Sequence, residues 1–403
     1  RTSILPDEFF TLKFEKINRI CIMAMKLSRS HPSIARDKIW TCQFIVLAII
    51  LLTCKYLLVY SILVVDIKTG NFYDVTKNIA ILLISFNADI KYFVLLYYQD
   101  EIMQLIQIIE DDYIIAEQSS EHDKAIVLKY AKKGARVCLF WAIAVVAASA
   151  VFPMKAWLHS AYTIYEGDYK LIHMFSLTLQ EPLESYKNKS PGNYIFAGLC
   201  VFYALYCASM YLSFDPIVPI FTLHISGQIE LLSNKIKVAL TEATSDKECE
   251  DNLKKIIFKS QGLYNFINRC KIYFSAIYEF NMKTTNLIAP LSALCVIEDI
   301  RNGHFNIEFF NILVGSIVHF WMPCYYNDFM TEMHENFRQE IYCCDWEKYP
   351  SKSIRRTLLF MLNRAVRPLG ISTIFYTMNL NTFAATCHQS YALFNLMNAA
   401  WVN

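Results

Sequence analysis

GISTIFYTMNLNTFAATCHQSYALFNLMNAAWVN, residues Gly370 to Asn403, is the stretch whose reading decides the fold. After Arg367 the chain carries no Asp, Glu, Lys or Arg, so this segment is apolar enough to enter a bilayer. Yet Asn379, Asn381, Thr386, His388, Gln389, Ser390, Asn395 and Asn398 punctuate it. Each amide or hydroxyl turned toward hydrocarbon costs several kcal/mol unless it finds a partner or water, so the helix does not face lipid all round. At 3.6 residues per turn Cys387, Ser390, Tyr391, Phe394, Met397, Asn398 and Trp401 share a mixed face, while Ala392, Leu396 and Ala399 share a bland one. Asn379 is placed to cap a helix running to Val402, roughly 35 Å long at 1.5 Å per residue and so long enough to span. The mixed face has two readings. It is either the buried interior of a receptor or transporter bundle, or a pore wall with Phe394 as the constriction and Ser390 and Asn398 wetting either side.

Working outward, the whole chain has the same character. It has 403 residues, 55% of them hydrophobic and 18% charged, with only 10 glycines, which excludes an ordinary soluble domain. A net charge of +2, with the basic residues spread through the connections, excludes a nucleic-acid partner. The first 38 residues lack a continuous apolar core and carry Arg1, Lys13, Lys16, Arg19, Lys26, Arg29, Arg36 and Lys38, so a cytoplasmic arm is expected and no cleavable signal. The 13 cysteines include no C-x-x-C pair and are expected as reduced thiols. Cys343 and Cys344 with His334 suggest packing or a palmitoylation site rather than a metal. No phosphate loop or Ser/His/Asp arrangement is visible, so neither an enzyme nor a cofactor is expected.

Seven spans are expected: Trp40 to Val65, Ile79 to Tyr98, Val137 to Leu158, Tyr194 to Phe221, Ile272 to Val296, Ile307 to Tyr326 and Asn379 to Val402. Asp89, Lys91 and Asp215 fall inside spans, where they face the interior, snorkel or pair; for Asp89 and Lys91 the simplest expectation is packing at the cytoplasmic interface. The N-terminal arm, Lys124 to Arg136, Lys235 to Lys271 and Arg338 to Arg367 are basic, and the alternate connections are poor in Lys and Arg. That bias places the N-terminus inside and the C-terminus outside. Asn188, in Asn188-Lys189-Ser190, then lies outside as a glycosylation acceptor, with Pro191 following it. The orientation is opposite to that of a G-protein-coupled receptor; Asp111-Asp112-Tyr113 reads as a loop after the second span, and the last span has no Asn-Pro-x-x-Tyr.

The architecture expected is all-α and polytopic. Residues 1–39 are a cytoplasmic arm, 40–226 the first four spans with an outer pocket, and 272–326 the fifth and sixth spans; 227–271 and 327–370 form a helical cytoplasmic platform, and 371–403 the closing span. Within the platform, Gly227 to Val238, Leu253 to Arg269, Asn327 to Trp346 and Ser353 to Val366 carry apolar residues at helical spacing. Either another copy of the chain or intramolecular packing covers those stripes.

The outer ends of the spans are crowded with rings. Phe86, Phe152, Trp157, Phe202, Tyr206, Phe309 and Phe310, with Leu82, Ala148, Leu199 and Leu313 between them, are expected to line a dry pocket. Its few donors are Ser85, Ser149, Asn306 and a Tyr hydroxyl. Such a pocket selects small apolar organics by shape, at about 25 cal/mol per Å² buried. Any one of these rings also fits a bilayer-interface belt or the bundle core.

Cys324-Tyr325-Tyr326-Asn327-Asp328, Glu340-Ile341-Tyr342-Cys343-Cys344-Asp345-Trp346, Tyr349-Pro350, Arg364-Ala365-Val366-Arg367-Pro368-Leu369 and Ser390-Tyr391 resemble the C-terminal signature of insect odorant receptors. His224-Ile225-Ser226-Gly227-Gln228 and Lys189-Ser190-Pro191-Gly192 are similar to that family's fourth-span elements. The resemblance implies an odorant-gated, non-selective cation channel of the plasma membrane, built as a tetramer of inverted seven-span subunits around a pore lined by the last span. It implies a small apolar odorant as ligand, membrane lipid as surroundings and cations as permeants. The short connection between the fourth and fifth spans resembles a tuning subunit that assembles with the odorant co-receptor, which carries a long insertion there. Carried over from Ser390-Tyr391, Phe394 and Asn398 match the family's gate positions, with Met397 adjacent. Ala392, Asn395 and Asn398 depart from the family's aromatic and aliphatic run after that pair. The alternative is a non-conducting seven-span chemosensory subunit that signals through a partner.

Overall fold

Side-chain caps start the helices where the sequence supplies Asp, Asn or Ser. Asp37 accepts from Trp40 N at 2.7 Å, Asn71 from Asp74 N at 3.3 Å, Ser120 from Asp123 N at 3.2 Å, Ser245 from Glu248 N at 3.2 Å, and Asn306 from Phe309 N at 3.1 Å. In the computed structural model, which describes residues 12–167, 171–349 and 351–402, these caps open the long helices Lys38–Thr69, Phe72–Tyr97, Glu121–Tyr165, Asp246–Arg301 and Ile307–Tyr342. Gly192–Phe214 continues, after a break, as Ile217–Thr241, and Leu380–Val402 closes the chain. Every expected span lies within or across one of these, and the platform helices are their extensions. The second platform part adds Lys352–Ala365.

Two expectations about the helices themselves need correction. The fourth span is not continuous, because Pro216 has no N–H for a ladder bond and the helix restarts beyond it. Asp111-Asp112-Tyr113 is not a loop but part of the helix Gln99–Glu117, in which Ile102, Leu105, Ile106, Ile109, Tyr113 and Ala116 bury one stripe. Asp112 on that helix is buried and meets His224 at 3.0 Å and Lys259. Burial alone would raise its carboxyl pKa, but these two neighbours hold it below the usual carboxylate value. The fourth-span motif thus has a physical meaning: His224 pairs with Asp112, and Gly227 is small because a Cβ there would stand 2.9 Å from the Tyr130 ring.

Five helical segments are apolar enough over enough length to cross a membrane: Lys38–Thr69, Phe72–Tyr97, Glu121–Tyr165, the two-part Gly192–Thr241 and Ile307–Tyr342. Among the described residues the fifth and seventh fall short, because their polar side chains dilute the run. Those two helices pack against each other, which keeps part of their polarity out of lipid. The inner core lies below, where Cys21, Ile22 and Met25 of the N-terminal helix Arg19–Leu27 pack with Phe214, Phe221, Phe266 and Phe274. The arm therefore docks onto the bundle.

Lys91 departs from the expected packing at the interface, whereas Asp215 faces the interior and pairs, as one of its expected placements has it. Lys91 is fully buried, 2.7 Å from Asp215 and 2.9 Å from His319 Nε2, with the Tyr211 ring 3.3 Å from its ammonium. Trp141 stacks on His319 at 5.8 Å and donates its indole N–H to Tyr211 O at 3.0 Å. Asp89 pairs with Lys55 and accepts from the Tyr206 hydroxyl at 3.1 Å. Removing one partner of a buried pair strands the other charge, at a cost of about 3–5 kcal/mol. Asp215→Asn is therefore expected to melt well below the parent in detergent, and Lys91→Met with Asp215→Leu to recover most of the loss, as read by fluorescence-detected size exclusion over a temperature ramp.

Candidate outer pocket and closing helix

The outer core gathers some of the expected pocket residues and leaves others out. Leu82, Phe152, Leu199, Tyr206 and Phe309 pack in one cluster with Ile81, Cys200, Tyr203 and Met210. Phe152 lies 6.2 Å from Phe309 edge to face. Ser85 is fully buried beside them, and Ala148, Ser149 and Leu313 are partly buried. Trp157 is 80% exposed, and Phe86, Phe202 and Phe310 are each about two-fifths exposed. These four rings are not pocket walls in this structure: their helix faces turn out of the bundle, as interface-belt aromatics do. Asn306 is buried, but as a cap: its side-chain N–H donates to Asp299 at 2.6 Å and approaches the Tyr73 hydroxyl at 3.5 Å, joining the second, fifth and sixth helices.

The outer loop between the third and fourth helices supplies what the sequence did not signal. Phe175, Leu177 and Leu179 alternate into the bundle, and Phe175 meets Phe152 at 5.9 Å and Tyr203 at 6.2 Å. Polar contacts hold this lid. Thr178 N donates to Ser61 Oγ at 3.0 Å, Asn78 donates to Ser176 O at 3.0 Å, and Lys187 reaches Leu177 O. Beneath it Cys54, Leu58, Phe175, Leu199, Cys200 and Tyr203 enclose about 20 Å³, room for about one water and no more. The buried Tyr203 hydroxyl has no hydrogen-bond partner among the described residues, and Ser85 beside it donates to Leu82 O at 2.9 Å. Asn188 is exposed at the end of the short helix Leu183–Asn188, its side-chain N–H bound to Glu184.

The closing helix begins at a clamp. Asn327 of the sixth helix accepts from Ile371 N at 2.6 Å and donates to Ile371 O at 3.3 Å and to Met378 O. Thr331 donates to Leu369 O at 3.0 Å. One buried amide thus satisfies the backbone on both sides of the Ser372–Thr377 turn, after which Asn379 caps the helix, accepting from Thr382 N at 2.8 Å. Asn327 lay in the Tyr325-Tyr326-Asn327 run, but no spacing in the sequence pointed to this role.

The face of the closing helix that turns inward is the mixed one. Ser390 donates to Asn286 of the fifth helix at 2.9 Å, the same amide donates to Gln389 at 3.0 Å, and Arg301 donates to Asn398 at 3.0 Å. Met397 packs on the outer core, and Phe394 is partly buried. Tyr391 is 64% exposed. Residues Asn381, Ala385, His388, Ala392, Asn395 and Ala399 form an uncovered stripe, with Leu396 beside it at 68% exposure. Within one subunit, then, the mixed face follows the buried-interior reading and not the pore-wall one, while Ala392, Leu396 and Ala399 are left open. The physical reason is that Asn286 and Arg301 satisfy the mixed face's polar groups, so that face has no need of water. The side chain of Trp401 lies outside the described residues.

Long membrane-crossing helices around a lidded aromatic core, with a polar closing helix, define a polytopic membrane receptor. The family profile described as 7tm Odorant receptor matches residues 71–391, and the chain belongs to that odorant receptor family and to no class of enzyme. The structure of the insect olfactory receptor OR5 from Machilis hrabei matches with a TM-score of 0.73 at 14% identity, covering 95% of this chain and 97% of that one. The same receptor in complex with eugenol matches with a TM-score of 0.73 at 14% identity, over 96% and 98%. No curated protein sequence matches the chain.

Two outcomes test this geometry. Asn327→Ala leaves buried backbone groups at Ile371 and Met378 unpaired, each worth about 1–3 kcal/mol, so the melting temperature is expected to fall by several degrees. Tyr203→Phe removes an orphan hydroxyl, so stability is expected to hold or rise. Ligands bearing an acceptor are expected to lose about fivefold in potency in a dose–response series, while pure hydrocarbons keep theirs.

Proposed function

We propose that the chain is the odorant-tuning subunit of a ligand-gated, non-selective cation channel of the plasma membrane, assembled as a heterotetramer with the odorant co-receptor. The N-terminus is cytoplasmic, the C-terminus is external, and the inner helical extensions join the subunits. The observation that carries this reading is the uncovered stripe of the closing helix. Asn381, His388 and Asn395 alternate with alanines along a face that its own subunit leaves open, and polar groups at membrane depth call for water or protein. Membership of the odorant receptor family supports it. Only Glu242–Ser245 separate the fourth-span extension from the fifth helix, in keeping with a tuning subunit.

The pore wall is assigned to this stripe, with Leu396 and Tyr391 as the large apolar side chains nearest the axis. Phe394, Met397 and Ser390 act behind it, as the packing that connects the wall to the outer core. The ligand is a small organic molecule with at most one or two polar atoms, of the kind represented by eugenol in the Machilis hrabei receptor. It enters beneath the Phe175 lid and hydrogen-bonds Tyr203. Because the closed cavity holds about one water, ligand binds only an expanded arrangement and shifts the equilibrium toward it. Met397, seated against the cluster that holds Phe309, transmits that expansion to the closing helix. The pore helix carries no fixed charge, so small cations are weakly discriminated.

Single cysteines along Asn381 to Ala399, in a Cys387→Ser background expressed with the co-receptor, test the assignment. A charged thiol reagent applied with ligand is expected to block current at residues 385, 388, 392, 395, 396 and 399. Block at Phe394 and Asn398 instead would move the wall back to the mixed face, and no block at any position would remove the conduction path from this helix. Leu396→Ala is expected to raise the current without ligand.

A further inference from the structure

A sizeable cleft lies away from the outer pocket, at the inner end of the third and sixth helices. It measures about 410 Å³ and is walled by Lys133, Arg136, Phe140, Trp321, Tyr325 and Phe329. We infer that this cleft binds the headgroup of an anionic phospholipid, with an acyl chain along the third helix.

Three observations carry the inference. First, Lys129, Lys133, Arg136, Phe140, Ile143 and Ala147 fall on one stripe of the third helix at spacings of three and four. Phe140 and Ile143 are 54% and 63% exposed, so an apolar, outward-facing surface runs directly into a basic one. A phospholipid has the same order of chemistry along its length.

Second, neither basic group in the cleft is held in an ion pair, although the Glu230 carboxylate acts on Lys133 at longer range. Lys129 is taken by Glu230 at 2.9 Å, whereas among the described residues neither Lys133 nor Arg136 forms an ion pair. The Lys133 ammonium lies 4.9 Å from the Tyr130 ring and 5.0 Å from the Phe329 ring, which fixes it at the cleft wall. Among the described residues Arg136 commits only Nε, donating to Lys132 O at 3.3 Å, and leaves its paired Nη groups to meet a phosphate in two-point fashion. The acids Asp328, Glu332 and Glu335 line an adjoining cleft on the far side of Tyr325 and Phe329, the two rings that wall both.

Third, Trp321 and Tyr325 stack at 5.0 Å on the opposite wall, where amphipathic rings mark the headgroup level. Basic pockets between membrane helices at that level are the usual receptors for anionic headgroups, at about fivefold in preference per Lys or Arg. Placement in the inner leaflet rests on the orientation proposed above. The identity of the occupant does not.

Native mass spectrometry of the full chain in its assembled form tests the inference, after extraction from vesicles of equal phosphatidylserine and phosphatidylcholine. Phosphatidylserine is expected to be retained at one or more copies per subunit. Lys133→Gln with Arg136→Gln is expected to lower its preference over phosphatidylcholine by up to about thirtyfold, while Lys133→Arg with Arg136→Lys keeps it. Equal retention of the two lipids, or retention of phosphatidylserine unchanged in the glutamine variant, would overturn the inference. The latter would mean that a neighbouring subunit covers the cleft. Both leaflets carry the same mixture, so the result is independent of insertion direction, which an impermeant thiol reagent on Ser190→Cys in intact cells reads separately.

Discussion

A lysine, an aspartate and a histidine meet at the centre of this bundle in the absence of exposed surface, and the rest of the arrangement is built to keep them there. Lys91 comes from the second helix, Asp215 from the break in the fourth and His319 from the sixth. None of the three is tolerable alone in hydrocarbon, so the register of three helices is set by the need to bring them together. The Tyr211 ring and the Trp141 indole close the sides. Pro216 places the fourth-helix break beside the carboxylate, and the two halves of that helix diverge from it into the outer core and the inner core.

The same rule, that polarity at membrane depth must find a partner, governs the closing helix. Its inward side is satisfied by Asn286 and Arg301, its start is held by Asn327, and what remains open is a row of small and amide side chains. The fifth helix is the natural neighbour because it too is short of apolar residues. Two helices that neither lipid nor the hydrophobic core fully accommodates have been paired, and their surplus polarity is collected on one side of the subunit.

Much of this was legible in the sequence. Hydropathy and capping residues gave an all-α polytopic chain whose long helices contain the expected spans, and the segments at 324–328, 340–346 and 364–369 carried the family likeness. Contacts between residues distant in sequence were not legible. Periodicity grouped Ser390, Phe394 and Asn398 on one face but does not say what that face meets, since Asn286 and Arg301 stand about a hundred residues away. For the same reason Asn327 read as part of a motif and not as a clamp, and Phe175 and Leu177 lay in a connection whose alternation is too short to announce a buried segment. Aromatic crowding correctly indicated the outer core around Phe152, Tyr206 and Phe309, but composition cannot separate rings that face inward from Trp157 and Phe310, which do not.

On the binding mode proposed above, the lid over the outer core sets a threshold. Since the resting cavity admits about one water, every ligand must first spend part of its contact energy separating Phe175 from Phe152 and Tyr203. Apparent affinity is the intrinsic value divided by the fraction of subunits already ajar. A receptor built this way is quiet in clean air and deaf to trace odours. On that proposal, residues holding the lid, such as Ser61 and Lys187, tune its sensitivity to all compounds together, whereas those lining the cavity decide which compounds are ranked first.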